Sequence, residues 1–303
     1  MSDNQATTPP EESFDLPASM FRAGTGAPTE VLITMYRLSE DPEPGVEHSD
    51  GTGLINLPVE VTDDDGMALF EGDIVLGTMA EVTNPPDATR GIVITGNQFR
   101  WPNGIVPYVA QEAVRARVEA AIAHWQEKTP FRFPKRTTET AFISFEAPAN
   151  PGVCNSQIGR QGGKQVINLG ANCSVGSAIH EIGHAIGLWH EQSREDRNRF
   201  VTIVEENITP AMRHNFDRHI IDADDVGQYD YDSIMHYPRK AFSKNGKDTI
   251  VPKSPPAAPN AVLGQRNGLS KRDVASLRMA YPTLSWPAGD EADNPGGSET
   301  VRP

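Results

Sequence analysis

The most informative part of this 303-residue chain reads His180-Glu181-Ile182-Gly183-His184-Ala185-Ile186-Gly187-Leu188-Trp189-His190. In an α-helix, residues four apart lie about 400° around the axis, so His180 and His184 project from one face, one turn apart. Two imidazoles in this arrangement can bind one metal ion, and Glu181 lies beside them. Gly187 can adopt the positive φ that ends a helix. The chain can then turn back and bring His190 to the same ion.

Three histidines with an open fourth position are typical of catalytic zinc, because structural zinc sites usually have four protein ligands. The pattern therefore predicts one zinc ion per chain, bound by His180, His184 and His190. Zinc lowers the pKa of a coordinated water toward about 7. Glu181 could take that proton and later deliver it to a leaving amine. The alternative interpretation is a polar helix face that carries three histidines and no metal.

The composition is that of a loop-rich globular protein, with 37% hydrophobic residues, 26 Gly and 25 Pro. It excludes a disulfide miniprotein, a collagen and a coiled coil. No stretch reaches the roughly 18 to 20 uninterrupted apolar residues of a membrane-spanning helix, so we expect no membrane span. The polar, acidic N-terminus also shows no export signal.

The negative charge is concentrated at one end of the chain. Residues 1–90 contain 18 acidic and three basic residues, whereas residues 91–284 contain 19 acidic and 23 basic residues. This asymmetry argues against nucleic acid as a partner of the whole chain and makes attraction between the two parts plausible. A solvated acidic leader is the alternative.

Breaker residues and hydrophobic periodicity predict several elements. The first thirty residues and the residues after Pro282 are predicted to be disordered. The predicted strands and helices are strands at 30–38, 54–61, 142–145 and 166–169, a turn at 63–66, a helix from Ala110 to Lys128 that Pro130 stops, and a helix from Ser174 or Ser177 to Gly187.

A second motif, Ser233-Ile234-Met235-His236-Tyr237, lies downstream of the histidines. Alone it would indicate a strand or turn with a buried methionine. Together with the histidine motif, it resembles the astacin family of zinc endopeptidases, within the metzincin clan. The resemblance implies that Met235 is a hydrophobic floor under the histidines. It also implies that Tyr237 ligates zinc in the resting mature enzyme and hydrogen-bonds the oxyanion in the transition state.

The likeness extends over most of residues 98–281, including Trp101-Pro102-Asn103-Gly104 and Gly159-Arg160-Gln161-Gly162-Gly163. It implies an α+β metzincin fold, with a twisted mixed sheet, a long active-site helix and a Met-turn. The implied organisation is an acidic propeptide over residues 1–90, an astacin-like zinc peptidase domain over residues 91–284 and a disordered tail over residues 285–303.

The segment Phe70-Glu71-Gly72-Asp73-Ile74 resembles the family's inhibitory propeptide motif. By that resemblance Asp73 binds zinc in place of the catalytic water, and the propeptide is an intramolecular inhibitor. Cleavage would then follow Asp73, and Arg90-Gly91 is the expected position. Glu191 would meet the new N-terminus through water, the alternative being a surface salt bridge with an arginine of 194–199. The alternative is that Asp73 is simply one of the many acidic residues of the N-terminal part, without a role at the zinc.

The two cysteines, Cys154 and Cys173, could form a disulfide or remain free thiols, and their spacing does not decide between these. The resemblance matches them to one of the two disulfides common in astacins. It also implies an extracellular protein, although no signal peptide is visible. Some astacins favour acidic side chains after the cut, and Arg266 is a candidate for the basic residue that this preference requires.

The sequence therefore predicts a latent zinc endopeptidase that hydrolyses proteins or peptides. The competing hypothesis is a metzincin-fold binding or adhesion module that retains zinc without catalysis.

Overall fold

The structure of the protein is a computed structural model that describes residues 27–36, 54–83, 99–218, 227–253 and 262–287. The predicted disorder of residues 1–26, the Arg90-Gly91 position and the tail from residue 288 lie outside these ranges. Among the described residues, no helix combines the length and the apolar character needed to cross a membrane.

The described residues form ten strands and four α-helices. The strands are β1 (Thr29–Tyr36), β2 (Leu54–Asp64), β3 (Met67–Phe70), β4 (Ile74–Thr78), β5 (Tyr108–Ala110), β6 (Phe142–Glu146), β7 (Cys154–Ser156), β8 (Lys164–Leu169), β9 (Val201–Ile203) and β10 (Ile250–Pro252). The helices are α1 (Met79–Thr83), α2 (Arg115–Lys128), α3 (Val175–Ile186) and α4 (Lys271–Ala280).

Eight of the strands form one mixed sheet in the order β1-β2-β3-β4-β7-β8-β6-β5. Strands β1 to β4 are an antiparallel meander, and the turn between β2 and β3 uses positive φ at Asp65 and Gly66. The meander joins the remaining strands through β4, which lies parallel to β7 with the single register pair Ile74–Ser156. Strand β7 is antiparallel to β8, whereas β8, β6 and β5 are parallel. Strands β9 and β10 form a separate pair.

The main hydrophobic core lies between the sheet and helices α2 and α3, which contact each other. Two buried indoles connect its parts. Trp125 donates to the carbonyl of Ile179 at 3.2 Å, and Trp101 donates to the carbonyl of Ala185 at 2.8 Å. Both bonds satisfy an N–H that would be costly to bury unpaired. The core thus fixes the position of α3, the helix that carries the histidine motif.

Two further hydrophobic clusters flank the motif. One contains Tyr237, Phe242, Phe216 and Tyr229 and belongs to the part of the chain that follows α3. The other is shared between the N-terminal meander and the rest of the chain: Phe70 of β3 lies edge-on to Trp189, with ring centroids 6.1 Å apart. The meander is therefore packed against the motif and is not a separate unit.

Several sequence expectations need correction. Residue Ala110 belongs to β5, which pairs with β6, so α2 begins at Arg115 rather than at Ala110. Strand β1 begins at Thr29, inside the predicted disordered lead. Residues 285–287, predicted as the start of a disordered tail, are packed in the structure, since Trp286 donates to the carbonyl of Tyr281 at 3.0 Å and lies against Phe131.

Cysteines Cys154 and Cys173 form a disulfide, with Cα atoms 6.0 Å apart. It connects strand β7 to the start of α3. Of the two alternatives that the spacing left open, the structure therefore has the disulfide.

Candidate metal centre and active site

Helix α3 is bounded by residues that stop it on both sides. Ser174 accepts a hydrogen bond from Ser177 N–H at 3.0 Å, and the Ser177 hydroxyl accepts one from Ser174 N–H at 3.1 Å, a reciprocal N-terminal cap. At the other end, Gly187 has φ of +116° and donates to the carbonyl of His184 at 2.8 Å. A positive φ is readily adopted by glycine. The chain consequently reverses after α3 and returns His190 to the helix face of His180 and His184.

All three imidazoles are buried and converge on one point. The Nε2 atoms of His180 and His184 are 3.1 Å apart, and the rings of His184 and His190 have centroids 4.6 Å apart. Each Nδ1 atom faces an acceptor at 2.8 Å: the carbonyl of Ile234 for His180, the carbonyl of Leu188 for His184, and the carboxylate of Glu71 for His190. Since these acceptors require hydrogen on Nδ1, each Nε2 is left to bind a metal.

The fourth group at this point comes from the loop between β3 and β4. Asp73 is buried, and its Oδ2 lies 3.3 Å from Nε2 of His180. Its Oδ1 lies 3.2 Å from Nε2 of His190 and 3.7 Å from Nε2 of His184. The loop reaches this depth with positive φ at Glu71 and Gly72, and a Cβ at Gly72 would lie 2.7 Å from Cζ of Phe242. Ser156 N–H also donates to the Asp73 carbonyl at 3.0 Å.

The four residues fit a zinc ion. Their ligand atoms all lie within 4.8 Å of one another. A tetrahedron with the usual zinc–nitrogen distance has edges of about 3.3 Å, close to the separations of 3.1 to 3.7 Å between these atoms. Two of the atoms, Asp73 Oδ1 and His190 Nε2, have no hydrogen-bond partner among the described residues although they are buried. A metal ion would satisfy both.

The charges around this point also suit a cation. Burial lowers the pKa of His180 to about 4 and that of His184 well below its usual value, so both are neutral, as metal ligation requires. Burial also lowers the pKa of His190, but Asp73 and Glu71 outweigh it and raise that pKa to about 9, so a metal bound at His190 Nε2 would displace a proton from that nitrogen. Burial acts to raise the pKa of Asp73, yet His190 and His180 hold it well below its usual range. The ionised Asp73 is therefore a ready metal ligand.

Glu181 is close to these groups but outside the ligand set. It is buried, and its Oε2 has no hydrogen-bond partner among the described residues. Burial, followed by the negative charge of Asp73, raises the pKa of Glu181 well above its usual value. A carboxyl with a raised pKa can exchange a proton near neutral pH.

The segment 233–237 forms a turn beneath the histidines. Asp273 of α4 holds it by accepting from the Ser233 hydroxyl at 2.6 Å and from Ile234 N–H at 3.0 Å. The buried Met235 lies against helix α3, since a Cβ at Gly183 would be 2.7 Å from the Met235 sulfur. The same turn supplies the carbonyl that receives His180 Nδ1. The turn therefore orients a histidine as well as supporting the helix.

Tyr237 is fully buried, and its ring centroid lies 4.6 Å from that of His190. Its hydroxyl donates to the backbone carbonyl of Glu71, and its N–H donates to the Gln192 side chain at 3.0 Å. Tyr237 is thus beside the histidines, with its hydroxyl bound to the backbone of the N-terminal segment.

Glu191 and Arg266, whose roles the resemblance implied, both have partners within the chain, and Glu191 has the arginine partner that the alternative interpretation named. Glu191 accepts from Asp230 N–H at 2.7 Å and lies 3.6 Å from the Arg194 guanidinium. Burial raises its pKa to about 8, against the opposing effect of Arg194. Arg266 donates to the carbonyls of Ile234 at 2.8 Å and His236 at 3.3 Å, so it supports the turn.

Sequence reasoning missed three contributors: Glu71, Gln192 and Asp273. Glu71 was visible inside the Phe70-to-Ile74 motif, but nothing in the motif indicated what its side chain contacts. Gln192 and Asp273 accept hydrogen bonds from residues of the turn that are 45 and 39 positions away in sequence. Contacts at such a separation cannot be deduced from a single sequence.

Comparisons with known proteins agree with this geometry. The family model of the astacin peptidases matches residues 93–282. High choriolytic enzyme 1 of Oryzias latipes is 32% identical over 281 residues, which cover 84% of this chain and 98% of that protein. Zinc metalloproteinase nas-14 of Caenorhabditis elegans is 35% identical over 277 residues, which cover 81% of this chain and 53% of that protein.

Tolloid-like protein 1 of Mus musculus is 40% identical over 190 residues, which cover 60% of this chain. The chain spans 19% of the length of that relative. Among solved structures, High choriolytic enzyme 1, described as a hatching enzyme zinc-protease of medaka, is similar with a TM-score of 0.54 and 39% identity. The match covers 60% of this chain and 92% of that one.

The family model covers most of the chain. High choriolytic enzyme 1, which is matched over nearly its whole length, is identical to this chain at about a third of the aligned positions. The chain therefore belongs to the astacin family of zinc metalloendopeptidases, whose members use one zinc ion.

Proposed function

We propose that this chain is a latent zinc endopeptidase that hydrolyses proteins or peptides. In this proposal residues 1–90 are an inhibitory propeptide, residues 91–284 are the peptidase domain and residues 285–303 are a tail. The observation that carries the proposal is the convergence of three histidine Nε2 atoms and the Asp73 carboxylate within 4.8 Å. Zinc bound there would activate a water and polarise the substrate carbonyl.

In this proposal His180, His184 and His190 are the protein's zinc ligands, and Glu181 is general base and then general acid. Glu181 follows His180 directly on α3, so it faces the reacting groups without being a ligand. Its buried, unpaired Oε2 and its raised pKa suit a group that accepts a proton and then returns it to the leaving amine.

Tyr237 is proposed as the donor to the oxyanion in the transition state, and as a zinc ligand in the resting mature enzyme. Its ring lies next to that of His190, with centroids 4.6 Å apart. Met235 is proposed as the floor of the site, and the segment 233–237 as the Met-turn of the family. Such preorganised donors are often worth about 3 to 4 kcal/mol of transition-state stabilisation.

Latency would follow from Asp73. Its carboxylate lies 3.2 to 3.3 Å from the Nε2 atoms of His190 and His180, so it would compete with a water for zinc bound there, and β4 joins it to the same sheet. Cleavage near Arg90-Gly91 would free the site, and Glu191 would then meet the new N-terminal ammonium. The raised pKa of Glu191 suits a carboxyl that would gain from a further cationic partner, whereas its present contact with Arg194 is the alternative to this role.

The test has two parts. The intact chain should contain about one zinc ion, and limited trypsin treatment should produce cleavage of casein or a fluorogenic peptide that a chelator abolishes. Glu181→Gln should retain the zinc and lose turnover by at least about 100-fold. A chain that binds zinc but stays inactive after its leader is removed would instead support the non-catalytic binding module.

Asp73→Asn should raise the activity of the uncut chain, because an amide is a much weaker zinc ligand than a carboxylate. Asp65→Asn is the matched control: Asp65 is exposed in the β2–β3 turn, with a φ of +55° that asparagine tolerates. Equal latency in the two variants would remove the role given to Asp73.

A further inference from the structure

The N-terminal segment contacts the histidine site through a second acidic residue, Glu71. Its side chain is 1% exposed. One carboxylate oxygen lies 2.8 Å from His190 Nδ1, and the other accepts from the Ser193 hydroxyl. The backbone carbonyl of the same residue accepts from Tyr237. Glu71 therefore contacts His190 of the metal site, Ser193 and Tyr237 at once.

The three histidines differ in where the partner of Nδ1 comes from. For His180 and His184 the acceptor is a backbone carbonyl of the same part of the chain, at Ile234 and Leu188. For His190 it is a carboxylate from the N-terminal segment, 119 residues away in sequence. A carboxylate partner makes an imidazole a more basic ligand than a carbonyl does and also fixes the orientation of its ring.

From this asymmetry we infer that Glu71 is a positioning residue for the metal, which tightens zinc binding in the latent chain by acting through His190. The inference rests on the proposed function in assuming that zinc binds at the histidines. It adds that the N-terminal segment holds the ion in two ways, directly through Asp73 and indirectly through Glu71. Loss of the segment would remove both contacts. The full chain should therefore bind zinc more tightly than a chain in which the segment contributes Asp73 alone.

The test measures zinc affinity in the full-length chain by competition with a chromogenic chelator. All variants carry Glu181→Gln so that the chain remains uncut, which mass spectrometry verifies. Glu71→Gln keeps the size of the side chain but removes its charge, and it should weaken zinc binding about 10- to 100-fold. Cobalt substituted for zinc should show a shifted visible spectrum in this variant.

Two controls separate this role from simple support of the loop. Ser193→Ala removes the other side-chain partner of the Glu71 carboxylate and should change zinc affinity less than about threefold, because the bond to His190 remains. Glu60→Gln changes an acid of the same segment whose side chain is 49% exposed, and it should have no effect on affinity.

The decisive comparison repeats Glu71→Gln in a chain that also carries Asp73→Asn. If Glu71 acts through His190, its replacement should still weaken zinc binding when Asp73 is absent, although the two factors need not be equal because both residues contact His190. An effect that disappears without Asp73 would mean that Glu71 only positions the Asp73 loop, and the inference would be wrong. An unchanged zinc affinity and cobalt spectrum for Glu71→Gln would equally overturn it.

The outcomes also separate this inference from the proposed function. A Glu181→Gln chain that binds no zinc would contradict the proposed function itself. A chain that binds zinc equally well with and without the Glu71 carboxylate would contradict only the role of Glu71. Should Glu71→Gln fail to fold, Glu71→Asp applies the same test, because the shorter side chain keeps its charge but does not reach His190 Nδ1.

Discussion

If the chain is latent as proposed, replacing Gly72 with alanine should open the site, because two costs act in the same direction. Gly72 has φ of +78°, where an L-residue with a side chain is strained by about 1 to 2 kcal/mol. The new Cβ would also lie 2.7 Å from Cζ of Phe242, a ring held in a buried cluster. Overpacking of this kind costs about 1 to 3 kcal/mol.

Together the two effects should weaken docking of the loop by about 2 to 5 kcal/mol. At about 1.4 kcal/mol per tenfold change, the open population would rise between about 30-fold and about 4,000-fold. The activity of the uncut chain on a fluorogenic peptide should rise by the same factor until the open form predominates. Hydrogen exchange of the amides from Leu69 to Val75 should accelerate in parallel.

The chain offers a matched control in Gly66→Ala. Gly66 has φ of +83° in the β2–β3 turn, but no heavy atom lies within 4 Å of the position of its Cβ. Only the backbone strain applies, so activity should rise at most about 5- to 30-fold. In a Phe242→Leu background, Gly72→Ala should lose the part of its effect that comes from the ring. If Gly72→Ala opens the site no more than Gly66→Ala does, the overlap with Phe242 has no energetic role and the reasoning is refuted.

Three other predictions follow from the described contacts. Replacing Cys154 and Cys173 with serine should lower the free energy of unfolding by about 3 kcal/mol in urea, because the bond closes a loop with a sequence separation of 19; an unchanged midpoint would contradict this. Burial raises the pKa of Asp273 from 3.8 to about 6, so the folded chain binds a proton more tightly than the unfolded chain. Stability should therefore fall as pH rises from about 4 to about 6, and urea titrations of Asp273→Asn across that window should show a smaller fall. Tyr237→Phe, assayed after trypsin treatment, should retain zinc and lose about 100- to 1,000-fold in kcat, and full activity would exclude the oxyanion role.

The elements that the sequence predicted correctly are those determined by residues close together in the chain, such as helix caps and hydrophobic spacing. Helix α3 and its two ends follow from Ser174, from the apolar spacing and from Gly187, all within a dozen residues or so. The buried apolar face of α2, from Val118 to Trp125, likewise follows from helical spacing. At such short range the sequence determines both the element and its direction.

The parts that it did not predict depend on distant pairing. Ala110 was expected in a helix, but it pairs with Phe145 in the sheet, so tertiary contacts override local preference. Strand β7 has three residues, too few for a periodic signal, yet it connects the meander to the rest of the sheet. The role of Glu71 was equally hidden, since its partners lie about 120 residues away or more along the chain.

The single register pair between β4 and β7 has a consequence for how this chain could mature. Every other junction in the eight-stranded sheet has at least three paired positions, but this one has only Ile74 opposite Ser156. A cut after β4 would therefore leave the Ile74–Ser156 pair as the single strand pairing between the described strands of the meander and those that follow. The meander would then be held mainly by side chains such as Phe70, Glu71 and Asp73, so packing against the histidine site, rather than strand pairing, would govern its release.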